Sequence, residues 1–75
     1  MQTIDVLVHI QESVDQLTLE AVEDDIRNSP GVLATSHFKD TPHLVQVVYD
    51  SDQTQLSKIV EDFRQHGLHA QEVGL

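Results

Sequence analysis

Apolar and polar side chains alternate from Ile4 to Ile10. Ile4, Val6, Val8 and Ile10 fall on one side; Asp5, Leu7 and His9 fall on the other. A period of two belongs to a strand with one buried face, so a strand opens the chain. Gln11 to Gln16 is polar apart from Val14 and reads as a loop. The period then changes. Leu19, Val22 and Ile26 stand at i, i+3 and i+7, which lines one side of a helix. Ser13 or Asp15 can cap its start, and Glu20, Glu23, Asp24 and Asp25 are expected on its wet side. Asn28-Ser29-Pro30-Gly31 stops it, because Pro and Gly both end helices.

The second half repeats the order with one strand more. Val32 to Lys39 is β-prone but weakly patterned, and its register is left open. Asp40-Thr41-Pro42-His43 has turn chemistry, and Leu44 to Tyr49 is a clear strand, so the two strands form a hairpin. Asp50-Ser51-Asp52 offers caps for a second helix striped by Leu56, Ile59, Val60 and Phe63. Gly67 stands where a left-handed residue ends such a helix, and Leu68 to Val73 is long enough for a last strand. Two helices must then cover one face of a four-stranded sheet. The expectation is a single α+β domain over residues 1–75, a ferredoxin-like βαββαβ two-layer sandwich. Right-handed crossovers set its antiparallel strand order at 4-1-3-2.

Composition narrows the chemistry. A hydrophobic content of 39% is too high for a disordered tail. No apolar run is long enough to span a membrane, and the first residues lack the pattern of a secretory leader, so a cytoplasmic location is expected. The absence of cysteine excludes disulfides, thiolate metal sites and cysteine nucleophiles. Thirteen acids against four bases give a net charge of −9, which repels nucleic acid and anionic membrane surfaces. No nucleophile elbow, phosphate loop or HExxH motif is present, so no catalysis and no resident cofactor are expected.

Several segments resemble the heavy-metal-associated (HMA) domain family of copper and mercury chaperones and metal-pumping ATPases. Thr18-Leu19-Glu20-Ala21-Val22-Glu23 is similar to that family's first helix, and Pro30-Gly31-Val32 to its turn into strand two. Val47-Val48-Tyr49-Asp50 resembles the end of strand three, and Phe63 through Val73 the closing segment. The resemblance implies the same βαββαβ fold. It also implies a Met-x-Cys-x-x-Cys stretch before the first helix. Counting back from Val22 and Glu23 puts those cysteines on Asp15 and Thr18. Cu(I) selects soft thiolate or thioether ligands, so the family's Cu(I) transfer does not carry over to these positions.

Two surfaces remain as candidates. If Val6, Val8, Val47 and Tyr49 face the helices, then Leu7, Leu44 and Val48 face outward with His9. That apolar face, with the Glu12 to Thr18 loop at its end, suits a protein partner or a homodimer, although scattered exposed aliphatics are common. The second surface is the end of the domain where the topology gathers all five histidines beside Glu12, Asp15 and Asp40. Imidazole and carboxylate suit Zn²⁺, Ni²⁺ or Cu²⁺, with Asp15, His66 and His69 as the trio to consider. Solvated histidines without a metal are the competing expectation, because no pair has a recognised ligand spacing.

Overall fold

The computed structural model describes residues 1–73. The chain runs through β1 (Thr3–Ile10), α1 (Gln16–Arg27), β2 (Val32–Phe38), β3 (Thr41–Asp50), α2 (Leu56–Gln65) and β4 (Ala70–Glu72). The strands form one antiparallel sheet in the order β2-β3-β1-β4, which is the expected 4-1-3-2 order seen from the other edge. Pairing Val6 with Val47 and Val8 with Val45 puts the apolar rows of β1 and β3 on the same face. Leu19, Val22 and Ile26 of α1 and Ile59 and Phe63 of α2 close over that face in a single cluster. Phe63, Ile10, Leu19, Ile26, Ile59, Val8, Val45 and Val47 are fully buried. Each contributes about 1.5–3 kcal/mol relative to exposure, so these eight dominate what a small domain has to spend against chain entropy.

The helix ends explain the turns. At the end of α1, the Ser29 carbonyl accepts from the Val32 amide at 3.1 Å, with Pro30 and Gly31 between them and Gly31 at φ 88°. This is a type II turn, which needs a residue comfortable at positive φ in its third position. α2 ends in a Schellman motif. Leu68 N–H reaches the Phe63 carbonyl at 3.1 Å, and Gly67 N–H reaches that of Arg64 at 2.8 Å, with Gly67 at φ 80°. Leu68 is buried as this motif's apolar partner, so the last strand begins at Ala70 rather than at Leu68.

The helix starts differ from the caps expected. Asp15 is the N-cap of α1, but its side chain makes no capping hydrogen bond, and Ser13 lies outside the helix. Gln55, not a residue of Asp50-Ser51-Asp52, is the N-cap of α2. Asp50 is buried and spends its carboxylate on the turn instead. It accepts from Asp52 N–H at 3.0 Å, Gln53 Nε2 at 2.9 Å and Gln2 N–H at 3.2 Å. These bonds tie the exit of β3 to the start of β1, a local use of Asp that competes with capping. The Asp52 amide foremost, then the Gln53 side chain, hold the Asp50 carboxyl below the usual carboxylate range.

The weak pattern of β2 also has a cause. Its pairing with β3 shifts between Val32 and Ala34 and again between His37 and Phe38. An extra residue at a bulge breaks the alternation, which leaves Leu33 and Ala34 both exposed between buried Val32 and Thr35.

The two positive-φ glycines predict unequal outcomes. A Cβ at Gly67 meets nothing, so Gly67→Ala costs only the left-handed conformation, about 1–2 kcal/mol. A Cβ at Gly31 would lie 2.8 Å from Thr54 Cγ2 and 3.0 Å from Gln53 Cβ. Gly31→Ala therefore adds overpacking of about 1–3 kcal/mol. Urea unfolding of the two variants should rank Gly31→Ala as clearly less stable; equal midpoints would contradict the close approach. Asp50 carries a second expectation. Its depressed folded pKa means that its stabilisation is complete at neutral pH and is lost as pH falls through that lowered value. Asp50→Asn should flatten the acid limb of the stability profile, and an unchanged limb would remove this role.

Candidate functional site

The outer face of the sheet follows from the register. His9 pairs with Leu44, Leu7 with Gln46 and Asp5 with Val48, so these six side chains form two adjoining rows facing away from the helices. Leu7, Leu44 and Val48 are half-buried and His9 is exposed, the placement their alternation implies. Gln46 Nε2 donates to both Asp5 carboxylate oxygens at 2.9 Å, which holds one polar bridge across the rows. Phe38, 43% exposed, and Val73 join this surface. With Asp5, Leu7 and Gln46 they line an open groove of ≈ 560 Å³. Phe38 escaped the sequence reading because the bulge after His37 re-aims it. Val73 is placed by its N–H bond to the Leu7 carbonyl at 2.9 Å.

At the start of α1, Asp15, Gln16, Leu17 and Thr18 are all exposed, with Leu17 at 79%. A carboxylate and a hydroxyl on an open helix start offer hard oxygen atoms and no sulfur. This donor set does not fit a Cu(I) centre.

The histidines are each held by an oxygen or by another ring. His43 Nδ1 lies 2.8 Å from the Ile10 carbonyl, and its ring stacks on that of His9 with centroids 5.7 Å apart and planes within 19°. Glu12 clasps His69 twice, accepting from its N–H at 2.8 Å and from ring Nδ1. The side-chain bond from His69 chiefly, then the one from its backbone amide, lower the Glu12 carboxyl below its ordinary pKa. His66 Nε2 pairs with Asp25 at 2.7 Å. Asp15, His66 and His69 thus share no bond: His66 sits on the last turns of α1, His69 on Glu12, and Asp15 at a bare helix cap. Among the described residues, no three His, Asp or Glu side chains converge as a metal cage would require.

Glu23 corrects an expectation. It is only 3% exposed, not on the wet side of α1. Its position, one residue after Val22, turns it toward β2, where Oε1 meets His37 Nδ1 at 2.7 Å. Oε2 is buried without a hydrogen-bond partner among the described residues. Thr35 Oγ1 donates to the Glu23 carbonyl at 3.1 Å, and Arg27 Nη2 donates to Thr35 Oγ1 at 2.9 Å and to its carbonyl at 3.0 Å. This polar seam pins α1 to β2. A helical wheel alone gave no sign of it, since the partner comes from the irregular strand.

The chain aligns with oxidized MerP from Ralstonia metallidurans at 16% identity and a TM-score of 0.86, covering 97% of this chain and 100% of that one. A copper binding domain from HMA7, a P-type ATPase, aligns at 20% identity and 0.82, covering 93% of each chain. The yeast copper transporter domain Ccc2a aligns at 17% identity and 0.80, covering 93% of this chain and 94% of that one. The fold is that of the HMA domains, and the missing cysteines fit a domain of this shape without the CxxC pair. No protein-family pattern matches the chain, and no curated protein does.

The Glu12–His69 clasp yields a pH expectation. Carboxyl NMR should find Glu12 titrating below ordinary glutamate, so the clasp persists at neutral pH and opens as pH falls through that lowered value. His69→Gln should move the Glu12 midpoint upward. An ordinary midpoint in the native chain would dismiss the clasp.

Proposed function

We propose that this chain is a non-catalytic protein-binding module that docks a partner on the outer face of its sheet. The observation that carries this reading is the outward placement of Leu7, Leu44 and Val48 on neighbouring strands, with Leu7, Phe38 and Val73 lining one groove. A covered face of this kind returns a few kcal/mol, at ~25 cal/mol per Å² before the costs of association. The rows Asp5-Leu7-His9 and Leu44-Gln46-Val48 contain a fixed negative charge and no Lys or Arg. With −9 on each chain, charge favours a basic partner over a second copy, and it disfavours nucleic acid and anionic membranes. Among the described residues, no helix is long and apolar enough to cross a membrane.

A second reading is metal handling through imidazole and carboxylate ligands. It is supported by the shared fold with a copper binding domain and a copper transporter domain. It is supported also by rings held in place at the Ile10 end of the sheet.

Docking is tested by substitution on the face. Leu7→Glu and Val48→Glu leave the helix-facing core untouched, and both should lower recovery of a bound partner by at least about tenfold relative to the native bait. Sedimentation velocity over a concentration series separates a second copy from a different protein. Equal recovery by native and both substituted baits, all folded, would remove the sheet face from the proposal.

A further inference from the structure

None of the four strands contains a Lys or Arg. Arg27, Lys58 and Arg64 lie on the helices, and Lys39 lies in the β2–β3 turn. The strands do carry carboxylates. Asp50 is buried and committed to its turn, whereas Asp5 and Glu72 both line the groove of ≈ 560 Å³ on the outer face. The face is therefore acidic and apolar, with no cation of its own beyond histidine.

Asp5 is held ready for a donor. It is exposed, and both of its oxygens accept from Gln46 Nε2 at 2.9 Å. A carboxylate only accepts, so the nitrogen of the Gln46 amide must be the atom that meets it. Gln46 Oε1 is then left as a second acceptor beside the Asp5 charge. Leu7, Phe38 and Val73 wall the same groove with apolar surface. Acceptors next to apolar walls suit a cation on an apolar stem.

Guanidinium fits this arrangement better than ammonium. Its planar fork carries five N–H donors, enough to serve a carboxylate and an amide oxygen together. It is weakly hydrated and stacks on aromatic surfaces, and Phe38 is 43% exposed at the groove. We infer that the groove takes an arginine side chain of the docked partner, with its guanidinium on Asp5 and Gln46 and its stem along Leu7, Phe38 and Val73. A second copy docked through the same strands would bring no such side chain. The net charge of −9 draws basic segments toward the face. The inference deepens the docking reading and rests on it.

The test is an NMR titration of the full chain with the capped tripeptide Leu-Arg-Leu, its lysine counterpart and its citrulline counterpart. Citrulline keeps nearly the shape of arginine without the charge. The arginine peptide should shift the Gln46 side-chain amide and the Leu7 and Val73 methyls. It should bind at least about tenfold more tightly than the citrulline peptide, and Asp5→Asn should erase that difference. The peptide comparison uses the native chain, so it stands even where Asp5→Asn disturbs folding. Equal binding by the citrulline or lysine peptide overturns the arginine site. So does a preference that survives Asp5→Asn, or silence at millimolar arginine peptide. Docking is judged separately, by partner recovery on Leu7→Glu and Val48→Glu baits.

Discussion

Burial of one sheet face under two helices is the constraint from which the rest of the molecule follows. Phe63 and Ile59 from α2, and Leu19 and Ile26 from α1, meet Val8, Ile10, Val45 and Val47 with essentially no exposure. Because side chains on a strand alternate, committing those rows inward commits Asp5, Leu7, His9, Leu44, Gln46 and Val48 outward. A one-residue slip of β1 against β3 would exchange the two sets and unmake core and outer face together. The outer face is thus a consequence of the core, obtained without any separate device.

Polar chemistry then fixes how the layers meet. Asp50 joins the exit of β3 to the start of β1, and the Glu23–His37 and Arg27–Thr35 contacts fasten α1 to the irregular edge strand β2. A buried carboxylate with one oxygen unsatisfied is costly, and His37 is what Glu23 gains in return. The cost is borne at an edge strand whose pairing with β3 shifts register twice. A buried polar seam that specifies one docking of α1 on β2 is consistent with that weakness.

The outer face and the histidine end meet at His9. It pairs across the sheet with Leu44 and stacks on His43 at the sheet's end. That face otherwise has Asp5 as the fixed charge of its two central rows. The helix start at Asp15 to Thr18 is separate from both, exposed at the N-cap of α1.

Periodicity alone determined the element order, both amphipathic helices, the strand order and the outward placement of Leu7, Leu44, Val48 and His9. Those depend on local alternation and on the handedness of crossovers, which a chain of residues displays directly. Composition determined the absence of thiolate chemistry in the same way. Tertiary structure decided the rest, because each remaining feature needs two distant segments to meet. Bulges in β2 re-aimed Phe38. Glu23, polar and three residues from Glu20, became buried because β2 brought His37 beneath it. Asp50 served a turn rather than a helix because Gln2 and Gln53 lay within reach. The histidines were expected together at one end, and their partners were not legible. His69 closes on Glu12, His66 on Asp25, and His9 on His43 across 57, 41 and 34 residues of chain. Contacts of that span are set by how the strands and helices pack, and no local pattern records them.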